Sequence, residues 1–155
     1  MTNCYVIGVD PGPTPGVVRI DTEHRKVATV YVVQCNANAI YHALEGLTSE
    51  KDAAGYLAVE KFVTGRIRPS RSKDHEQARG MVANLYQWVR VRSYLWWLAQ
   101  RAADVKPWAT DARLDTVGLL EATKGMRHAR DAARHALFAA VKLGLADDPL
   151  IGGQQ

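Results

Sequence analysis

The chain has 155 residues, 47% hydrophobic and 23% charged, which fits one globular domain with a sizeable core and excludes a disordered chain. The chain has 20 Lys and Arg against 16 Asp and Glu, which gives a net charge of +4 and makes a polyanionic partner plausible. No apolar run is long enough to cross a bilayer, and the first strand begins too early to leave room for a signal peptide. Cys4 and Cys35 fall in predicted strands, where we expect small buried residues rather than a disulfide. These features predict a soluble cytoplasmic protein.

The first part of the chain predicts three adjacent strands, a helix and a fourth strand. Proline and glycine between residues 11 and 16 exclude a helix or strand there and indicate a turn. Asn36 or Asn38 can cap a helix that runs to about Leu47. The predicted strands are 4–10, 17–20, 26–33 and 56–63.

The second part predicts a basic loop over 64–74 and then a long helix over 75–103, whose broad apolar girth indicates burial on more than one side. A short fifth strand is expected at 105–109, where Pro107 favours a sheet edge. A helical turn or two follows within 115–123, and the last helix covers 126–145. This order predicts an α/β fold, a five-stranded mixed sheet flanked by helices, in one domain over 1–148 with a flexible tail over 149–155.

Acidic side chains occur where an ordinary core would not tolerate them. Asp10 ends an apolar strand, and Glu60 interrupts another. A buried carboxylate is costly unless it is paired, protonated or bound to a metal. His128 and Asp131 stand three apart, so they share one face of the last helix. If the first and fourth strands are neighbours, the carboxylates converge, and a divalent cation would relieve their repulsion. The pattern predicts a Mg²⁺ site, with Mn²⁺ as the alternative.

Each of these residues also has a simpler interpretation. Asp10 could cap the turn at Pro11 and Gly12, and Glu60 could be a charge on an edge strand. His128 and Asp131 could belong to a solvated helix face. His135 could orient Asp131, although a half-buried helix histidine is the more common case. The aromatic residues between 86 and 97 could stack on bases, but their helical spacing favours a core or a dimer contact.

Asp-Pro-Gly after the first strand, Glu in the fourth strand and His-x-x-Asp in the last helix together resemble the RuvC family of Holliday junction resolvases. That family belongs to the ribonuclease H-like nucleases, and the resemblance in element order covers nearly the whole chain. It implies a ribonuclease H-like fold and a crossover junction endodeoxyribonuclease that resolves four-way DNA junctions by paired symmetric nicks. It implies that the catalytic metal ligands are Asp10, Glu60, His128 and Asp131.

The resemblance also predicts how two Mg²⁺ ions per active site would be held. Two ions about 3.5–4 Å apart can bracket a scissile phosphate. Our hypothesis is that Asp10 bridges both ions, with Glu60 on one ion and His128 and Asp131 on the other. A homodimer is expected, because a four-way junction has two-fold symmetry and needs two matched nicks. The apolar helix 75–103 is predicted to form the dimer interface, and neither a membrane nor a small-molecule cofactor is expected.

Candidate DNA-binding residues lie in two basic stretches and at one aromatic position. Basic side chains that track phosphates would give structure-selective, salt-sensitive binding. By strand alternation Phe62 shares the face of Glu60 and is a candidate wedge that stacks on a base. The basic candidates are Arg66, Arg68, Arg71, Lys73, Lys124, Arg127 and Arg130.

Some features depart from cellular RuvC proteins and leave alternatives open. The turn from Asp10 to Gly16 looks one residue short, and the segment from Val105 to His128 is also short, which resembles compact phage-encoded members. A broader fork and flap endonuclease is one alternative. Another ribonuclease H-like nuclease, acting on RNA/DNA hybrids or of the YqgF type, is a second. An ATP-dependent phosphotransferase and a non-catalytic junction-binding protein are weaker ones, since a second phosphate-binding turn is not visible and the ligand set is complete.

Overall fold

A five-stranded mixed sheet organises the chain, which we describe from a computed structural model for residues 4–48, 54–62 and 72–151. Its strands are β1 (Tyr5–Asp10), β2 (Gly16–Glu23), β3 (Lys26–Gln34), β4 (Gly55–Glu60) and β5 (Leu95–Gln100). The strand order across the sheet is β3-β2-β1-β4-β5. The first three strands pair antiparallel through two short connections, whereas β4 pairs parallel with β1 and β5 pairs parallel with β4. The predicted α/β fold class is confirmed.

Helices cover both faces of this sheet. A 3-10 turn (Ala37–Ala39) leads into α1 (Ile40–Leu47), and the remaining helices are α2 (Ser72–Arg90), α3 (Ala102–Trp108), α4 (Asp111–Thr116), α5 (Leu119–Ala122) and α6 (Arg127–Lys142). The core residues of α1 and α2 pack on one face with Ile7, Val9 and Leu57. The alanines of α6 pack on the other face with Val6 and Val18. Because side chains alternate along a strand, Gly8, Asp10 and Glu60 also belong to the α6 face.

Two glycines allow α6 to approach the sheet closely. A methyl group on Gly8 would overlap the carbonyl oxygen of Ala132, and one on Gly16 would overlap the backbone of His128. A residue with a side chain at either position would therefore push α6 away. The close approach brings the first turn of α6 to the end of β1, where Asp10 lies.

The predicted long helix over 75–103 is wrong. α2 ends at Arg90, and residues 95–100 form the edge strand β5. No glycine or proline marks the turn between these elements, so the apolar pattern reads as one continuous helix. In the strand, Leu95 and Trp97 contact the α2 side of the sheet, whereas Leu98 contacts the α6 side. The wide apolar girth is thus the two-sided pattern of a strand, and Trp96 is 59% exposed.

The predicted strand over 105–109 is also wrong, because α3 occupies this region. Val105 is buried in that helix, and Pro107 lies in its last turn rather than at a sheet edge. The other predicted elements exist with shifted ends. The helical turns expected within 115–123 are α4 and α5.

Three smaller points complete the fold. Cys4 and Cys35 are free and half-buried, and they flank strands instead of lying within them. The domain boundary at residue 148 stays a prediction; Asp148 itself pairs with Arg113 at 2.9 Å. Among the described residues, no helix has the length and apolar character that a membrane span needs.

Candidate active site

Asp10 and His128 meet where β1 ends and α6 begins. The Oδ2 atom of Asp10 lies 2.8 Å from Nδ1 of His128, and Asp10 is only 8% exposed. The contact joins residues that are 118 positions apart in the chain. It depends on Gly16, the first residue of β2, which gives the start of α6 room to lie against the start of that strand.

Glu60 lies beside Asp10 because β1 and β4 run parallel. Val9 pairs with Val59, so the next residues of the two strands emerge together at the carboxyl ends of the sheet. The Oε2 atom of Glu60 lies 3.7 Å from Nε2 of His135, a residue of α6. The first and fourth strands are neighbours, which is the condition under which the sequence places the two carboxylates together.

Asp131 lies near Asp10, and the ion pairs of its own carboxylate are with cations. Its two oxygens are each 3.5 Å from a cation, Lys106 on α3 and Arg134 on α6. Its charge nevertheless acts on Asp10, as does the charge of Glu60. The structure therefore brings the four residues Asp10, Glu60, His128 and Asp131 into one electrostatic neighbourhood.

The two carboxyls on the strands respond to this neighbourhood in opposite ways. Burial raises the pKa of Asp10 above its ordinary value of 3.8, the charges of Glu60 and Asp131 raise it further, and the bond to His128 offsets only part of the rise. Burial also raises the pKa of Glu60, but His135, Lys106 and His75 outweigh burial and hold that pKa below its ordinary value. Asp10 is thus the acid whose negative charge most lacks compensation.

The residue chemistry fits a hard divalent cation. Three carboxylates with a raised pKa on the innermost one form a site that a cation would stabilise. When Nδ1 of His128 donates to Asp10, the neutral ring keeps an unprotonated Nε2, the form in which imidazole binds metals. As the side chains stand, the described ranges contain no group of three or more His, Cys, Asp or Glu that converges as a ready-made metal site. Binding would therefore require side-chain rotation.

Gln34 holds the beginning of α6, and sequence reasoning missed it. Its Oε1 atom accepts hydrogen bonds from the backbone N–H groups of His128 at 3.0 Å and Ala129 at 3.2 Å. Met126, at the N-cap position, makes no side-chain capping bond. A residue at the end of β3 therefore satisfies two of the free N–H groups of the helix. No local motif near residue 127 announces this cap.

The Gln34→Ala variant is expected to lower the free energy of unfolding by about 1–2 kcal/mol, the range for a lost helix cap. It should also slow any reaction that needs His128, because the first turn of α6 would fray. Urea unfolding followed by circular dichroism measures the first effect. The matched change Gln87→Ala, at an exposed position of α2, should leave both properties unchanged. An unfolding midpoint for Gln34→Ala equal to that of Gln87→Ala would contradict the capping role.

Lys106 and His135 also belong to this site in ways the sequence did not predict. Lys106 was hidden inside the predicted strand over 105–109, whereas α3 directs it toward Asp131. For His135 the sequence favoured a half-buried helix histidine and left a contact to Asp131 as the alternative. The residue is fully buried and lies against Glu60 instead, at the point where α6 passes β4. Both the degree of burial and the acidic partner therefore differ from the sequence interpretation.

The candidate DNA-binding residues are only partly placed. Arg66, Arg68 and Arg71 lie outside the described residues. Lys73 is exposed in the first turn of α2, and Lys124 and Arg127 are exposed near the start of α6. Arg130 is half-buried, with Nε 3.5 Å from the Thr123 hydroxyl.

Phe62 follows the end of β4, so strand alternation does not define its direction. Its ring lies edge-on to His75 of α2, with centroids 5.8 Å apart. It lines a pocket of about 350 Å³ together with Glu60, Tyr86 and Trp97. Phe62 therefore lies near Glu60 because both residues line this pocket on the α2 side of the sheet, and not because they share a strand face.

Comparison with solved structures identifies the fold to which this architecture belongs. A Thermus thermophilus RuvC in complex with Holliday junction substrate aligns with 92% of this chain and 98% of its own, at 20% identity and a TM-score of 0.56. The chain has the RuvC fold. A second Thermus thermophilus RuvC structure covers the same shares at 18% identity and a TM-score of 0.49. No protein-family model and no curated protein matches the sequence.

Within this RuvC fold, which is ribonuclease H-like, the predicted residues occupy one edge of the sheet. Asp10 and Glu60 end the two central parallel strands, and His128 and Asp131 begin the helix packed against them. The fold explains why residues from three distant stretches converge. It does not by itself assign a reaction.

Proposed function

We propose that the protein is a metal-dependent, structure-selective DNA endonuclease that resolves four-way junctions by paired symmetric nicks. The observation that carries this proposal is the convergence of Asp10, Glu60, His128 and Asp131 at one edge of a RuvC fold. A second support is the solved relative of the same fold, which was captured with a Holliday junction substrate. The excess of basic over acidic residues agrees with a polyanionic substrate.

The four residues would hold Mg²⁺, with Mn²⁺ as the alternative, in a two-metal arrangement. When bound, the metal would polarise the scissile phosphate and lower the pKa of the attacking water. The chain's own contribution is to hold its four ligand residues at one edge of the sheet, from which their side chains would turn toward the ions. Asp10 is fixed by its position at the end of a buried strand, and His128 is fixed by the contact to Asp10 and by the Gln34 cap. Lys106 adds positive charge beside Asp131 and Glu60.

DNA would contact the protein around this edge through phosphates. Lys124 and Arg127 are exposed next to the first turn of α6, close to His128, and Lys73 is exposed at the start of α2. Arg66, Arg68, Arg71 and Arg130 are the further candidates. Phosphate contacts carry no base information, so binding should depend on junction shape and weaken steeply with salt. Phe62, on the rim of the pocket beside Glu60, is the candidate for stacking on an unpaired base.

A homodimer would supply the two active sites that symmetric nicking needs. The shortened α2 still offers a surface for it, since Tyr86 is 42% exposed and Val82 and Trp97 lie beside it around the same pocket. We expect a dimer by light scattering at micromolar concentration. Tyr86→Lys should shift that dimer toward monomer and turn paired nicks into single ones, whereas a wild-type monomer that still makes paired nicks would remove the dimer from the proposal.

The experiment that tests the function is cleavage of end-labelled substrates with Mg²⁺, Mn²⁺ or EDTA. The substrates are a four-way junction, a fork, a flap, a linear duplex and an RNA/DNA hybrid. Symmetric, metal-dependent nicks in the junction, with the linear duplex spared, are expected. Equal cleavage of forks and flaps would broaden the function to branched DNA. Cleavage of the hybrid alone would keep the metal site and overturn the junction substrate.

A further inference from the structure

His135 is a fully buried ionisable residue that the proposed ligand set does not use. Its side chain is 0% exposed, and the other buried residues of α6 are alanines and Leu137. A buried polar ring is costly unless its nitrogens find partners. The contacts of this ring therefore call for a physical explanation.

The ring joins two residues at the carboxyl ends of neighbouring strands. Its Nδ1 atom lies 2.9 Å from Oε1 of Gln100, the last residue of β5. Its Nε2 atom lies 3.7 Å from Oε2 of Glu60, the last residue of β4. The register pairs Glu60 with Gln100 directly, so the two strands present both side chains to the same ring. Nε2 is buried, finds no hydrogen-bond partner among the residues that the structure describes, and has the Glu60 carboxylate as its neighbour.

Hydrogen-bond chemistry explains what Gln100 contributes. A side-chain amide can turn either its oxygen or its nitrogen toward a ring nitrogen. With the NH₂ group toward Nδ1, a neutral ring carries its hydrogen on Nε2, directed at Glu60. As the structure stands, Oε1 of Gln100 faces Nδ1, so this arrangement requires the amide oxygen and nitrogen to exchange places, which leaves the side chain where it is. In either orientation Gln100 fixes the plane of the ring. Partners of this kind, one residue removed from a ligand, set the direction in which a carboxylate presents its oxygens.

We propose that His135, held by Gln100, is a positioning residue that orients the Glu60 carboxylate for cation binding. One oxygen of Glu60 faces Nε2 of His135, and the other would bind the cation. The inference rests on the proposed function, because it assigns a role to Glu60 as a ligand. It gives this chain a fixed carboxylate where the strand end alone would leave the side chain free to rotate.

The test compares His135→Leu with the wild type by three measurements. Mn²⁺ binding without DNA is followed by the electron paramagnetic resonance signal of free Mn²⁺, the rate of junction cleavage is titrated with Mg²⁺, and folding is checked by thermal unfolding. Loss of such a partner typically weakens metal binding or activity by about 10–100-fold, and we expect that shift in both titrations. Junction affinity in EDTA should stay within about twofold, because Glu60 is not a phosphate contact.

Two further variants separate positioning from simple packing. His135→Gln places an amide N–H near the position of Nε2 and should recover most of the lost Mn²⁺ affinity. Gln100→Met keeps the volume but frees the ring, so it should weaken Mn²⁺ binding in the same direction even if His135→Leu does not fold. His42→Leu, the same exchange at an exposed position of α1, should change none of the readouts.

The outcomes distinguish this inference from the proposed function. If the wild type binds Mn²⁺ and cuts junctions, and folded His135→Leu binds Mn²⁺ equally well, the positioning role is wrong while the proposed function stands. If His135→Gln matches His135→Leu in stability but recovers Mn²⁺ affinity, and if Gln100→Met loses Mn²⁺ affinity as His135→Leu does, the role is supported. If the wild type binds no Mn²⁺ and cuts nothing, the proposed function fails and this inference fails with it.

Discussion

The Asp10→Asn variant is expected to lose junction cleavage by about 10³-fold or more while keeping its affinity for the junction. Metal ions contribute several kcal/mol to such reactions, and each 1.4 kcal/mol is about tenfold in rate. Asn keeps the shape of Asp10 and can still bond to His128, but it lacks the negative charge that a cation needs. Cleavage under single-turnover conditions and binding by fluorescence anisotropy in EDTA measure the two properties.

The matched control is Asp115→Asn, at an exposed position of α4, which should cut and bind like the wild type. Retained cleavage by Asp10→Asn would remove Asp10 from the catalytic set. Loss of junction binding together with cleavage would instead indicate that Asp10 supports the fold or the DNA surface.

The same variant has an expected signature in stability. The pKa of Asp10 is raised in the folded protein, so the folded state holds its proton more tightly than the unfolded state does. Stability therefore falls as pH rises from the ordinary carboxyl pKa of 3.8 through the raised value, and the ionised acid destabilises the protein at neutral pH. Asp10→Asn should unfold at a higher temperature than the wild type at pH 7 in EDTA. The difference should shrink toward pH 3.8.

Gly8→Ala is expected to destabilise the protein by about 3 kcal/mol or more, at the upper end for an overpacked core. The added methyl group would overlap the carbonyl oxygen of Ala132 and stand 2.7 Å from the backbone nitrogen of Ala136. Both atoms belong to the backbone of α6, so a change of side-chain rotamer cannot relieve the overlap. The helix would shift, and with it His128, Asp131 and His135. Urea unfolding gives the stability, and cleavage should fall with it.

Gly80→Ala is the matched control, because no atom of the described part of the chain lies within 4 Å of the added methyl group. Gly80 lies inside α2, where Ala is the better helix former by roughly 0.5–1 kcal/mol. That variant should be as stable as the wild type or slightly more stable. Equal unfolding midpoints for Gly8→Ala and Gly80→Ala would mean that α6 does not depend on this close approach.

The sheet was predictable from the sequence except at β5, and the reason is local. β1 to β4 are short apolar stretches bounded by glycine, proline or polar turns, which punctuate the chain clearly. Between Arg90 and Leu95 no such punctuation exists, and a strand rich in leucine and tryptophan has enough apolar residues to mimic a helix stripe. The order of residues alone does not show that Leu95 and Leu98 face opposite sides of the sheet.

The candidate site also contains residues that the sequence reveals and residues that it does not. Asp10, Glu60, His128 and Asp131 were recognisable because carboxylates in apolar strands and a His-x-x-Asp helix turn are locally unusual. Gln34, Gln100 and Lys106 carry no such signal, since each is an ordinary residue in its own stretch. The spacing of His135 suggested a contact to Asp131 and not the contact to Glu60. Their roles come from contacts over sequence separations of 94 for Gln34 and 35 for His135 with Gln100. Periodicity, propensity and spacing contain no information at that range.

What the sequence by itself determined is the class of fold, the strands that carry the two central acids and the helix that carries the histidine and third acid. Tertiary structure alone decided which groups surround them. The deciding contact is the approach of α6 to the sheet over Gly8 and Gly16, because the position and crossing direction of that helix select the neighbours of every side chain on it. That approach places His128 on Asp10 and His135 on Glu60, and a helix packed at ordinary distance would leave both acids without these partners.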